Sequence, residues 1–139
     1  VELDIPFGLP ALEIPAKNPL TAEKIALGKQ LFFDANLSLD RTISCASCHD
    51  PNRGWSNGQP VAEGVGGAKG TRNVPTLFNV AYNRSQFWDG RAMSLESQAL
   101  GPVLNPVEMA MPSRDALVER IRENGEYRTL FTQAFEDGI

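Results

Sequence analysis

Both cysteines and the single histidine of this chain fall inside one five-residue run, Cys45-Ala46-Ser47-Cys48-His49. Cys-x-x-Cys-His is the attachment signature of c-type haem. Two thiols add across the porphyrin vinyl groups, and the next residue is placed beneath the ring so that an imidazole nitrogen can bind the iron as proximal ligand. Cys45, Cys48 and His49 are therefore expected to anchor one covalent haem. A thioredoxin-like disulfide would open a helix after a buried strand, and no βαβ pattern surrounds the run. Structural zinc takes four Cys or His ligands, and this chain has three such residues in all.

A haem large enough to pack around changes what 139 residues can do. One compact domain with 42% hydrophobic residues is the expectation. The net charge of -4 and pI near 5.0 disfavour nucleic acid and anionic membranes as partners, since both need clustered Lys and Arg. No apolar run approaches the roughly twenty residues of a membrane span. Because c-type haem is attached outside the bacterial cytoplasm, a mature exported chain in the periplasm is expected, its signal removed before Val1.

The periodicity predicts helices separated by long irregular loops. Pro6, Pro10, Pro15 and Pro19 make residues 1–20 an extended arm that wraps over another surface, ahead of a haem domain over 21–139. Thr21 is a good N-cap for a helix over 22–33, with Ile25, Gly28 and Phe32 in one stripe and Leu27 and Leu31 beside it. Gly28 suggests close approach by another helix or by the haem edge, although an incidental glycine accounts for it equally well. From Asp34 to Arg91 no period is sustained, which reads as loop organised by the cofactor.

Ser94 caps a predicted helix that carries Leu95, Gln98 and Ala99 and is stopped by Gly101-Pro102. Ser113 caps another, with Leu117, Val118 and Ile121 on one face, ended by Asn124-Gly125. Tyr127, Leu130, Phe131, Ala134 and Phe135 then mark a final amphipathic helix. The Gly-rich loop from Gly64 to Gly70 lacks the ending of a phosphate-binding loop and no strand leads into it, so a mobile loop over the haem is expected.

Four further segments carry a resemblance: Gly28-Lys29-Gln30-Leu31-Phe32-Phe33-Asp34, Asn73-Val74-Pro75-Thr76, Phe87-Trp88-Asp89-Gly90-Arg91 and Asn105-Pro106-Val107-Glu108-Met109. In this order around one haem motif, the chain resembles the N-terminal, peroxidatic domain of the bacterial di-haem cytochrome c peroxidases and their MauG-like relatives. That resemblance implies an all-α, cytochrome c-like fold and the reduction of hydrogen peroxide, or a peroxide-driven oxidation. It implies that Glu108 is the distal acid/base, Gln98 the pocket glutamine and Pro102 the residue above the iron. It places Trp88 between two haems as an electron-transfer residue, and makes Asn73 a calcium ligand where the two haem domains meet. Taken alone, Glu108 would be a solvated carboxylate, Gln98 a residue facing water and Trp88 a core aromatic.

The chain departs from the family pattern twice. Its Gly-rich loop has no histidine to cap the iron, which implies an open sixth position as in the MauG-like branch. It also has no second Cys-x-x-Cys-His. Its end just after a helix favours one piece of a longer protein, with a C-terminal haem domain as partner and a cytochrome c or cupredoxin as electron donor. The competing readings are a monohaem carrier with Met93, Met109 or Met111 as axial ligand, and a catalytically silent haem module.

Overall fold

A computed structural model describes residues 1–139. Five α-helices and four short 3-10 turns make up its regular structure, with no β-strand. Only isolated bridges pair residues across loops, at Asp50–Ser56, Glu63–Lys69 and Gln86–Ala92. Helix α1, Ala22–Phe33, starts where Thr21 accepts the Lys24 N–H on its hydroxyl, as its sequence predicts. The face that packs is the one carrying Leu27 and Leu31: Leu27 is buried, while Ile25 is exposed. Nothing beyond its chain neighbours and the backbone of its own helix lies within 4 Å of a Cβ built on Gly28, so no helix crosses there.

Helix α2 is the single turn Cys45–Cys48. The haem motif thus sits on a helical turn inside the long region expected to be loop. Helix α3, Leu95–Leu104, is capped by Ser94 but runs through Gly101-Pro102 instead of stopping there. Pro102 removes one internal hydrogen bond without ending the helix. Gly101 has a packing role, because a Cβ there would stand 3.0 Å from the Phe87 ring. The true stop is Asn105, whose extended backbone is what a residue before Pro106 prefers.

Helix α4, Arg114–Glu123, and helix α5, Gly125–Ala134, share Asn124 as C-cap and N-cap. Gly125 opens α5, where the sequence reading made it part of the preceding stop. Helix α1 packs on α2 and α5, and α4 packs on α5 and on the 3-10 turn Ala35–Leu37. Leu27, Leu117, Ile121 and Tyr127 join Met109 and Met111 in the central cluster, and half-buried Cys45 packs against it. Phe135 lies outside α5, exposed, with its ring stacked on Phe131 and under the Lys24 ammonium. The arm has no helix, and its Pro10 carbonyl accepts the Tyr82 hydroxyl at 3.0 Å.

Candidate haem site

The approach to α2 is fixed by one buried hydroxyl. Ser38 is fully buried, and its Oγ accepts the N–H groups of Thr42 at 3.1 Å and Ile43 at 3.0 Å while donating to the Ala35 carbonyl. The Arg120 guanidinium holds the same segment by donating to the carbonyls of Asn36, Ser38 and Leu39. Ser44 then donates its N–H to Ser47 Oγ at 2.9 Å and starts the turn. One turn apart, Cys45 and Cys48 lie on one side of α2. Burial pushes both thiols up from their ordinary value, and for Cys48 the charge of Glu108 adds to it.

His49 follows as the C-cap of this turn, and its ring Nδ1 lies 3.0 Å from the Trp55 carbonyl. A carbonyl only accepts, so Nδ1 carries the proton and Nε2 presents its lone pair. The carbonyl is aimed by a tight turn in which Gly54 and Trp55 both take left-handed φ, closed by Trp55 N–H to Asp50 O at 2.9 Å. Phe32 flanks both rings, with centroids 6.4 Å from His49 and 6.0 Å from Trp55. Paired thiols one turn apart beside an imidazole with its tautomer fixed are the donor set that covalent haem requires. They do not converge as a three-ligand metal-ion cluster.

Glu108 is brought to the same place by a different element. Asn105 Nδ2 donates to Glu108 Oε2 at 2.8 Å, and the Asn105 carbonyl accepts the Glu108 N–H at 3.0 Å. The Gly-rich loop spans the gap. Cys48 Sγ donates to the Glu63 carbonyl at 3.7 Å, and Val65 donates its N–H to the Glu108 carbonyl at 2.8 Å. At Gly64 the fit is so close that a Cβ would stand 2.3 Å from the Val107 carbonyl oxygen. This loop is pinned to the Glu108 segment instead of hanging free. Gln98 and Pro102, one turn apart on α3, are half-buried, and the Pro102 carbonyl accepts the Met109 N–H at 3.1 Å.

Trp88 and Asn73 form a separate pair. The indole Nε1 donates to the Asn73 carbonyl at 2.8 Å, and Asn73 Nδ2 donates to the Gln59 carbonyl at 2.7 Å. Trp88 is 62% exposed, so it is not the core aromatic that composition alone would make it. Met109 and Met111 are buried and Met93 is exposed. Sequence reasoning missed Trp55 and Asn105. The Asn three residues before Glu108 was a readable cue, whereas Trp55 acts through a carbonyl that any residue has.

Residues 22–139 match the family of di-haem cytochrome c peroxidases. The chain belongs to that family. It is 46% identical over 130 residues to cytochrome c peroxidase Ccp of Escherichia coli (strain K12), covering 94% of this chain and 28% of that protein. It is 49% identical over 121 residues to the methylamine utilization protein MauG of Methylorubrum extorquens, covering 87% of this chain and 34% of that protein. A crystal structure of a MauG-like protein associated with microbial copper homeostasis superposes with a TM-score of 0.89 at 34% identity, covering 99% of this chain and 41% of that one. The chain spans roughly a third of the length of the curated relatives it matches. The all-α, cytochrome c-like fold is that of this haem peroxidase family.

Proposed function

We propose that this chain is the peroxidatic domain of a di-haem peroxidase, carrying one c-type haem on Cys45 and Cys48 with His49 as proximal ligand. The reading rests on one observation above all. The carboxylate of Glu108, oriented by Asn105, is held at the attachment turn, because the loop whose Glu63 carbonyl lies beside Cys48 Sγ donates its Val65 N–H to the Glu108 carbonyl. When bound, the haem supplies the redox-active iron at which the peroxide O–O bond is broken. Glu108 takes a proton from one peroxide oxygen and returns it to the other, so that water leaves. Gln98 and Pro102 border the space in which peroxide is oriented. His49, its Nδ1 proton held by the Trp55 carbonyl, lends electron density through Nε2.

Overall, hydrogen peroxide takes up two electrons and two protons to give two waters. The electrons come from a second haem, which belongs to the remainder of a longer protein, and ultimately from a small cytochrome c or cupredoxin. Exposed Trp88 is the point at which electrons enter from that second haem. Asn73 Oδ1 is a hard oxygen suited to calcium at the same boundary. A periplasmic location goes with this reading, because c-type haem is attached outside the bacterial cytoplasm.

The test is Glu108→Gln, which keeps size and hydrogen bonding but removes the base. In the haem-loaded, full-length protein, the absorbance change on stopped-flow mixing with hydrogen peroxide should slow by about 10²- to 10⁴-fold at unchanged haem content. Equal rates in the variant and the parent would take Glu108 out of the reaction. Met109→Leu and Met111→Leu should leave the resting spectrum unaltered, because both side chains are packed in the core. Loss of a Met-to-iron charge-transfer band in either variant would identify a carrier instead.

A further inference from the structure

Tyr127 is a buried phenol that the peroxidatic chemistry leaves unused. It is 3% exposed, and its hydroxyl donates to Asp34 Oδ2 at 2.6 Å. The other oxygen of that carboxylate accepts both the backbone N–H and the side-chain amide of Asn36, each at 2.8 Å. Asp34 is thus held in one orientation towards the phenol. Burial, and then the bond to Asp34, push the phenol well above its ordinary value, so it does not ionise by itself near neutral pH. Removing an electron reverses that preference, because an oxidised phenol is a strong acid. A carboxylate already hydrogen-bonded to it accepts the proton without rearrangement.

The surroundings complete the path. Asp34 and Tyr127 line a polar surface depression of about 210 Å³ together with Arg41, Arg120 and Glu123, which gives the proton a way to water. On the inner side, Tyr127 belongs to the cluster against which Cys45 packs, and α1 touches both α2 and α5. Tyr82, the other tyrosine of the chain, is a built-in contrast. Its hydroxyl donates to the Pro10 carbonyl, a neutral amide that cannot take up a proton.

We propose that Tyr127 and Asp34 form a proton-coupled redox site that supplies an electron to the haem when peroxide has oxidised it and no donor protein is at hand. The proposal rests on the peroxidatic reading for its oxidant, hydrogen peroxide. The Tyr127 O–H bond breaks, one electron passes through the core to the oxidised haem, and the proton goes to Asp34 Oδ2. A neutral tyrosyl radical beside a protonated carboxyl group results. One electron from the small redox donor protein, when it returns, reduces the radical, and the proton passes back from Asp34 Oδ2 to the Tyr127 oxygen.

The experiment uses the haem-loaded, full-length protein, mixed with hydrogen peroxide in the absence of donor, freeze-quenched and examined by electron paramagnetic resonance. A tyrosyl signal should appear in the parent and in Tyr82→Phe and vanish in Tyr127→Phe. Asp34→Asn keeps a hydrogen-bond acceptor but not the base, so the signal should form about 10²-fold more slowly. A haem spectrum that responds to peroxide while the tyrosyl signal is absent, or persists in Tyr127→Phe, overturns the redox site and leaves the peroxidatic reading intact. A haem that does not respond removes the peroxidatic reading instead. The pair is then read by laser-flash oxidation with a ruthenium tris-bipyridine and persulfate: tyrosyl absorbance lost in Tyr127→Phe supports the site, and its absence from the parent rejects it.

Discussion

The helical core and the loop shell around the haem motif are held together in different ways. In α1, α4 and α5 the backbone satisfies itself along each helix, and apolar faces supply the contacts between them. Between Ser38 and Ala92 the ladder is replaced by single bonds from side chain to backbone: Ser38 to Thr42 and Ile43, Ser56 to Val74, Thr76 to Gly54, Trp88 to Asn73. Of 62 backbone–backbone hydrogen bonds, 36 lie in turns, loops and helix caps, so much of the chain is ordered by local decisions. A region of the first kind tolerates a change at most surface positions. A region of the second kind can be undone by one atom.

Truncation inside the core should give the largest loss of stability. Leu27→Ala removes a nearly fully buried side chain and should cost about 4 kcal/mol in denaturant unfolding, with the haem spectrum of the surviving folded protein unchanged. A changed spectrum at low denaturant would mean that core and shell are not separable. Gly64→Ala should come next, at about 3 kcal/mol, because the added methyl meets the rigid backbone of Val107 and Glu108. It should also slow the reaction with peroxide, and a variant that only unfolds more easily, at full rate, would show that the loop does not place Glu108.

Ser38→Ala strands the half-buried N–H of Ile43, while that of Thr42 keeps its bond to Asp40, and should cost about 2 kcal/mol. Faster amide exchange confined to residues 38–48 would locate that loss in the shell. The smallest effect belongs to Asp89, whose carboxyl is held below the usual range by hydrogen bonds from Arg72 and then Arg91. A lowered folded-state value means that its contribution is complete above the unfolded value of about 4 and fades as pH falls through the lowered one. The group is exposed, so Asp89→Asn should only slightly soften the acid side of the stability–pH curve. A difference that persists at lower pH than the parent's acid transition would point to a loss of packing, not of charge.

What could be read from the sequence follows the same division. The proposed haem anchor can be named from the sequence because its chemistry lies in residue types at fixed spacing, and α1 was legible because Thr21 and a periodic apolar face agree. The end of α3 was misread because Gly101-Pro102 looks like a stop locally. Only the Phe87 ring, from a segment whose own φ is left-handed, explains the glycine. The one-turn helix at the motif was hidden for a related reason, since four residues carry no period and the turn depends on Ser44, Ser47 and the buried Ser38. Glu108 was reached through family motifs, while its partner Asn105 was not singled out.

Two consecutive carbonyls, those of Glu108 and Met109, receive the N–H groups of Val65 and Leu39, one from the chain after the haem motif and one from the chain before it. Such contacts close long loops, which is slow relative to helix formation and cannot begin until both ends of each loop exist. A chain folding from the unfolded state therefore exposes its two thiols until the segments on either side of them are buckled. On the proposed function, haem attachment has a window set by the order of folding, and residues 108 and 109 are the clasp that ends it.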